Sequence, residues 1–234
     1  MQDERALYDR LWDDALASFR SGAVELDPHL PDRVDDDRLG LTLAARFDDA
    51  TRERLSALLD DLRALAPEQH IYRPDELHIT VLSVVTTTPG FDPARAPLGA
   101  YRALFAEVFA AAEPLTLHLR GLTASRCCVM LCGYSADGAL NALRAKLREA
   151  LSAAGLQDGL ELRYRITAAH ATLLRFQTPP ARLDALIEGI AARRDIDYGA
   201  CHVDAIEFVL NDWYMSHDRV RVLARFPLGG LGPE

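Results

Sequence analysis

The chain has 234 residues, 49% of them apolar, and a formal charge of −9. That length suits one large domain or two tightly joined lobes, and the acidic balance argues against a protein that grips long duplex nucleic acid, whose non-specific affinity comes from basic side chains on phosphates. No apolar run approaches the ~18 residues of a membrane span. The N-terminus lacks the basic start and apolar centre of a signal peptide. Four cysteines (Cys127, Cys128, Cys132 and Cys201) make no disulfide scaffold, so a reduced, cytoplasmic protein is expected. Adjacent Cys127 and Cys128 are expected on opposite faces of a strand.

In chain order, residues 4–20 read as a helix with Ala6, Leu7, Leu11, Trp12, Leu16 and Phe19 as its apolar stripe. A Pro- and Asp-rich loop follows, up to about residue 38. "LGLTLAARF" alternates like a strand. "DDATRERLSALLDDLRALAP" is a helix with Asp48, Asp49 or Thr51 as its cap. "ELHITVLSVV" (76–85) is a strand, "TTTPGFDPARAP" a loop and "LGAYRALFAEVFAAAE" a helix.

Strands then restart. "PLTLHLRGLTA" and "RCCVMLCGY" are spaced as a hairpin. "SADGALNALRAKLREALSAAG" is a helix closed by Gly155. "LELRYRI" is a short strand or loop, "AHATLLRF" a strand and "PARLDALIEGIAARR" a helix. "CHVDAIEFVLNDWYM" and "RVRVLARFPL" form a final hairpin. Hairpin neighbours mixed with helices predict an α+β fold with antiparallel sheets.

Two segments echo each other: "LHITVL" (77–82) and "AHATLL" (169–174) both carry His-x-Thr followed by aliphatic residues. Seven histidines and eleven threonines in this chain give about 0.3 such pairs by chance. In a strand, residues i and i+2 share a face, so His78 pairs with Thr80 and His170 with Thr172. A duplicated half-domain is expected, with the two faces meeting across a central cleft. Two imidazoles and two hydroxyls around one small volume suit phosphoryl chemistry. One ring takes a proton, the other gives one, and the hydroxyls donate to non-bridging oxygens. His170 is assigned as base and His78 as acid. No metal and no cofactor is required.

The pattern resembles the two-histidine (2H) phosphoesterase superfamily, which includes LigT-like RNA 2',3'-cyclic phosphodiesterases and 2'-5' RNA ligases. The resemblance covers roughly residues 38–228. It rests on "RPDELHITVL", "GLTASRCCVMLCGY", "AHATLLRF" and "VDAIEFVLNDWYMSHDRVRVLARFPL". Ala169 stands where a proline commonly precedes the second histidine in LigT-like relatives. The resemblance implies a bilobal fold and metal-independent opening of cyclic phosphates, on a small nucleotide or an RNA end, to 2'-phosphates. Chemistry on 2'-5' linkages uses the same four residues, and a non-catalytic nucleotide- or RNA-end-binding module is the non-enzymatic alternative. Residues 1–37 are read as a helical extension with an acidic loop, and 38–234 as the two-lobed domain.

Arg175 lies an odd five residues beyond His170, so strict alternation turns it away from the cleft unless a bulge or the strand end redirects it. The resemblance makes it a structural or phosphate-side cation. Arg126, at a strand start, is expected either to reach the cleft mouth or to be a solvated strand-end arginine. Tyr72 and Tyr214, with Tyr134, Phe176 and Trp213, are possible platforms for a base. The cysteines and His202 match no zinc spacing.

Overall fold

A computed structural model describes residues 2–229; the expected segment limits at residues 1 and 234 lie outside them. Helix α1 spans Gln2–Arg20. There follow β1 (Leu39–Arg46), α2 (Asp49–Leu65), β2 (His70–Ile71), β3 (His78–Thr88), α3 (Leu98–Ala110), β4 (Leu115–Ser125) and β5 (Cys128–Ser135). The remainder is α4 (Ala139–Ala153), β6 (Ala169–Arg175), α5 (Leu183–Ala191), β7 (Asp197–Val203), β8 (Ala205–Asp212) and β9 (Arg221–Pro227). The strands make two antiparallel sheets, in the orders β3-β1-β8-β9 and β2-β6-β5-β4-β7. The fold is therefore α+β, as the hairpin spacing predicts, and bilobal, as the His-x-Thr echo and the family resemblance imply. Among the described residues, no helix is long and apolar enough to cross a membrane.

Local signals set the boundaries. Asp48 accepts the Thr51 N–H at 2.7 Å and starts α2. Beyond α4, Gly155 takes φ +66°, and the Leu156 N–H returns to the Leu151 carbonyl. The helices cross between lobes: α2, which follows a strand of the first sheet, packs on β2 and β7 of the second, while α4 follows β5 of the second sheet and packs on β3 of the first.

"LELRYRI" takes the loop alternative. Two expectations change. Thr86, Thr87 and Thr88 extend β3 instead of opening the loop. The long strand expected from Cys201 is two strands, because the chain leaves one sheet at Val203 and enters the other at Ala205. Asp204 sits at the break, where its carbonyl accepts the Leu228 N–H. An uninterrupted apolar pattern does not record which sheet each half joins.

α1 packs across β4. Its buried stripe is Tyr8, Trp12, Ala15 and Phe19, whereas Ala6 is exposed and Leu7, Leu11 and Leu16 are half-buried. The stripe is thus rotated from the one expected, because the Tyr8 hydroxyl, a polar group, is drawn to the sheet.

Candidate active site

His78 opens β3, an edge strand of its sheet. His170 is the second residue of β6, which β2 covers only opposite Leu174 and Arg175. The adjoining parts of β3 and β6 are in contact. His78, Thr80, His170 and Thr172 are all half-buried, while Ile79, Val81, Ala171 and Leu173 are buried. The alternation read from sequence therefore holds on both strands.

Each strand then breaks register at the same step. Leu82 pairs with Leu43 and Thr80 with Ala44, which leaves Val81 as a bulge. Leu174 pairs with Val129 and Thr172 with Met130, which leaves Leu173 as one. Both bulges fall three residues after the histidine. A bulge adds one residue and inverts the faces beyond it. Arg175 is thereby brought to the side of His170 and Thr172, and all three line one cavity. This corrects the strict-alternation expectation.

The bulged backbones share one anchor. Arg144 of α4 is fully buried and uses all five of its N–H groups. Nε donates to the Val81 carbonyl (2.9 Å), Nη2 to those of Thr80 (2.7 Å) and Ala168 (2.9 Å), and Nη1 to that of Thr167 (3.0 Å) and to Asn141 Oδ1 (2.9 Å). One guanidinium thus ties the strand bearing His78 to the segment that leads into His170. Burial, with Arg148 nearby, pushes Arg144 down to about 10, and it stays charged at neutral pH.

The two rings differ in their support. His78 Nδ1 lies 2.9 Å from the Glu76 carbonyl. A carbonyl only accepts, so Nδ1 carries the proton and Nε2 is left as the ring's acceptor. His170 Nδ1 is buried and has no partner among the described residues. Burial, then the Arg46 cation, pushes His78 down to about 3. Burial, then Arg144 and Arg175, pushes His170 down to about 4. Both rings are therefore neutral at pH 7 in the free protein.

Because these values lie below the ~6.5 of an unfolded histidine, the unfolded chain binds more protons between pH 6.5 and 4. Stability is then complete above pH 6.5 and falls as the pH drops toward 4. At pH 5 the loss is about 2 kcal/mol per ring. Urea unfolding of the wild type and of a His78→Gln/His170→Gln variant at pH 7 and pH 5 checks this. The difference should swing toward the variant by that amount per ring at the lower pH.

The cavity that holds His170, Thr172 and Arg175 has a volume of about 470 Å³. Its lining contains Arg165 and Arg175 but no Asp or Glu, a notable exclusion in a chain of charge −9. Trp213 also lines it, and the guanidinium carbons of Arg163, Arg38 and Arg175 lie 3.9, 5.2 and 5.5 Å from its ring centroid. Such a field favours an anion.

A profile of the 2'-5' RNA ligase superfamily matches residues 45–214, which include both His-x-Thr strands. The chain belongs to the 2'-5' RNA ligase superfamily. Its fold is similar to that of TT0787 of Thermus thermophilus, at TM-score 0.61 and 18% identity over 82% of this chain and 100% of that one. It is also similar to LigT of E. coli in its apo form (TM-score 0.52, 20% identity, 82% of this chain and 98% of LigT). LigT complexed with 3'-AMP gives 0.51 and 19% at the same coverage. No curated protein matches the chain.

Within this superfamily member, the other expected site residues separate. Tyr72 is buried and its hydroxyl accepts from Arg175 Nε at 2.9 Å, so it holds the cation and offers no face to a base. Tyr214 is buried too; its hydroxyl donates to Asp27 Oδ1 and accepts from Arg38 Nη2, both at 3.0 Å. Tyr134 and Phe176 are core residues, which leaves Trp213 as the expected platform that reaches the cavity. Arg126 is exposed in the β4–β5 turn and is absent from the cavity lining.

Cys127 and Cys128 do not diverge, because Cys127 lies in the turn before β5. Both thiols approach Ser125 Oγ, at 3.4 and 3.1 Å, and both line the cavity. The neighbouring Cys128 thiol and the Ser125 hydroxyl draw the Cys127 thiol below its ordinary range. Among the described residues no cluster of three or more His, Cys, Asp or Glu is arranged to hold a metal ion.

Sequence reasoning missed Arg144 and Tyr8. Arg144 interrupts the apolar face Leu140, Leu143, Leu147 and Leu151 of α4, all of them buried. A lone cation at a core position of a helix was the available signal. Tyr8 gave none.

Proposed function

We propose that this protein is a phosphoesterase that opens 2',3'-cyclic phosphates of nucleotides or RNA ends to 2'-phosphates by acid-base catalysis at His78 and His170. The observation that carries the reading is the pairing of two His-x-Thr strands at adjoining sheet edges beside a cationic, carboxylate-free cavity. LigT's complex with 3'-AMP supports a nucleotide as the ligand.

His170 acts as base. Burial, with Arg144 and Arg175 nearby, keeps the ring neutral, and with its one proton on Nδ1 the ring leaves Nε2 as the acceptor. It takes a proton from water as the water oxygen bonds to phosphorus. His78 acts as acid. The Glu76 carbonyl accepts Nδ1–H in either charge state, so the ring can carry a second proton on Nε2. Burial, then Arg46, outweighs that support in the free protein, and the substrate's negative charge supplies the balance. As the P–O3' bond breaks, His78 gives its Nε2 proton to the departing O3'. Thr80, Thr172 and Arg175 serve the non-bridging oxygens. Microscopic reversibility lets the rings exchange roles in the reverse direction.

The test is a panel of 2',3'-cyclic nucleotides, RNAs with cyclic phosphate ends and 2'-5' dinucleotides, assayed without added metal. Hydrolysis of a cyclic phosphate to the 2'-phosphate is the expected result. Turnover confined to 2'-5' dinucleotides would move the assignment to 2'-5' linkage chemistry, and binding without turnover would make the protein a nucleotide-binding module. Because both proton transfers run through imidazoles, EDTA treatment is expected to leave the rate unchanged.

A further inference from the structure

We propose that α1, which lies outside the superfamily span, forms the wall of the substrate cavity against which the nucleobase packs, with Leu7 and Leu11 as the contacting side chains. The inference rests on the phosphoesterase reading for the identity of the ligand. Its geometry stands on α1 alone.

α1 is fixed to the catalytic sheet one residue from His170. The Tyr8 hydroxyl donates to the Gly133 carbonyl at 2.9 Å and accepts the Ala169 N–H at 3.1 Å, and it so inserts itself between β5 and β6. A proline at 169 has no N–H to give. Gly133 leaves room for the strands, since a Cβ there would collide with the Ala169 carbonyl. The Tyr8 carbonyl accepts from Thr123 Oγ1 at 2.9 Å. Further along, the Arg194 guanidinium pairs with Asp9 and lies 5.1 Å from the Trp12 ring.

This anchoring consumes Tyr8, Trp12, Ala15 and Phe19, and it leaves Leu7 and Leu11 half-buried, one turn apart. Both line the cavity that contains His170, Thr172 and Arg175. Two leucines held beside a phosphate-suited group offer what a planar base needs, namely an apolar surface adjacent to the cation that takes the phosphate. Met130 and Ile166 continue that surface.

The experiment is calorimetric titration of the full chain with adenosine 2'-monophosphate and, separately, with inorganic phosphate. The proteins are the wild type, Leu7→Gln/Leu11→Gln and Leu11→Trp, each first checked for an unchanged melting temperature. The double variant replaces the wall with polar chains. Leu11→Trp fills the space, and it serves alone if the double variant misfolds. The expected result is a Kd for the nucleotide raised about tenfold with that for phosphate within twofold of wild type. Equal weakening of both ligands, no change in either, or a wild type that gains nothing from the base overturns the proposal. Hydrolysis is read separately. A wild type that turns over no cyclic phosphate but keeps the split overturns the hydrolase reading and leaves the wall standing.

Discussion

Alanine at His78 or His170 is expected to lower kcat on a 2',3'-cyclic nucleotide by about 10³-fold or more, because in the proposed mechanism each ring carries one of the two proton transfers. At neutral pH neither change should unfold the protein, since both histidines are only partly buried. The two variants should part company on an activated aryl phosphodiester, whose phenolate leaves without being protonated. His78→Ala removes the acid and should recover most of its deficit on that substrate. His170→Ala removes the base and should not. Equal deficits on both substrates would reject the division of roles, and wild-type rates in either variant would reject the site.

The second large effect is structural. Arg144→Ala is expected to cost about 3–5 kcal/mol, the penalty for stranding buried groups that had shared one charged partner. In a chain of this size that is a drop of about 10 °C in melting temperature. Four carbonyls, at Thr80, Val81, Thr167 and Ala168, would lose their donor. Arg144→Lys keeps the charge but has three N–H groups on a single nitrogen, so it cannot span both strands. It should recover only part of the stability and leave kcat depressed at temperatures where it is folded. Full activity in folded Arg144→Lys would mean that the two strands hold their spacing without the guanidinium. Arg144 is a positioning residue here, since it reaches the backbones beneath the histidines and not the cleft.

Much of this arrangement was written in local pattern. His78 and Thr80, and His170 and Thr172, share faces because a strand repeats every two residues, a rule that needs no knowledge of neighbours. The helices were legible from their own period, with the α2 cap narrowed to Asp48, Asp49 or Thr51 and the α4 stop placed at Gly155. What local pattern could not carry was anything set by a partner strand. Arg175 reads as facing away until the bulge at Leu173 inverts its strand, and a bulge is a property of the pairing with Val129 and Met130. Tyr72 and Tyr214 could be read as core residues or as platforms for a base, because an aromatic ring in sequence gives no sign of whether its hydroxyl will be taken by Arg175, Arg38 or Asp27.

The sequence alone therefore determined the α+β class, the two His-x-Thr pairs and the acid-base chemistry those side chains permit, since each follows from periodicity and from the intrinsic protonation of imidazole. Tertiary structure decided which other groups join them. It turned Arg175 inward, buried Arg144 between the lobes, and set α1 against β6 through Tyr8, so that Leu7 and Leu11 border the cavity. The contacts that hold Arg144 to β3 and Tyr8 to β6 join residues 63 to 161 positions apart. The energy of such contacts lies in desolvation and shared hydrogen bonds, and neither is a property of a short stretch of chain.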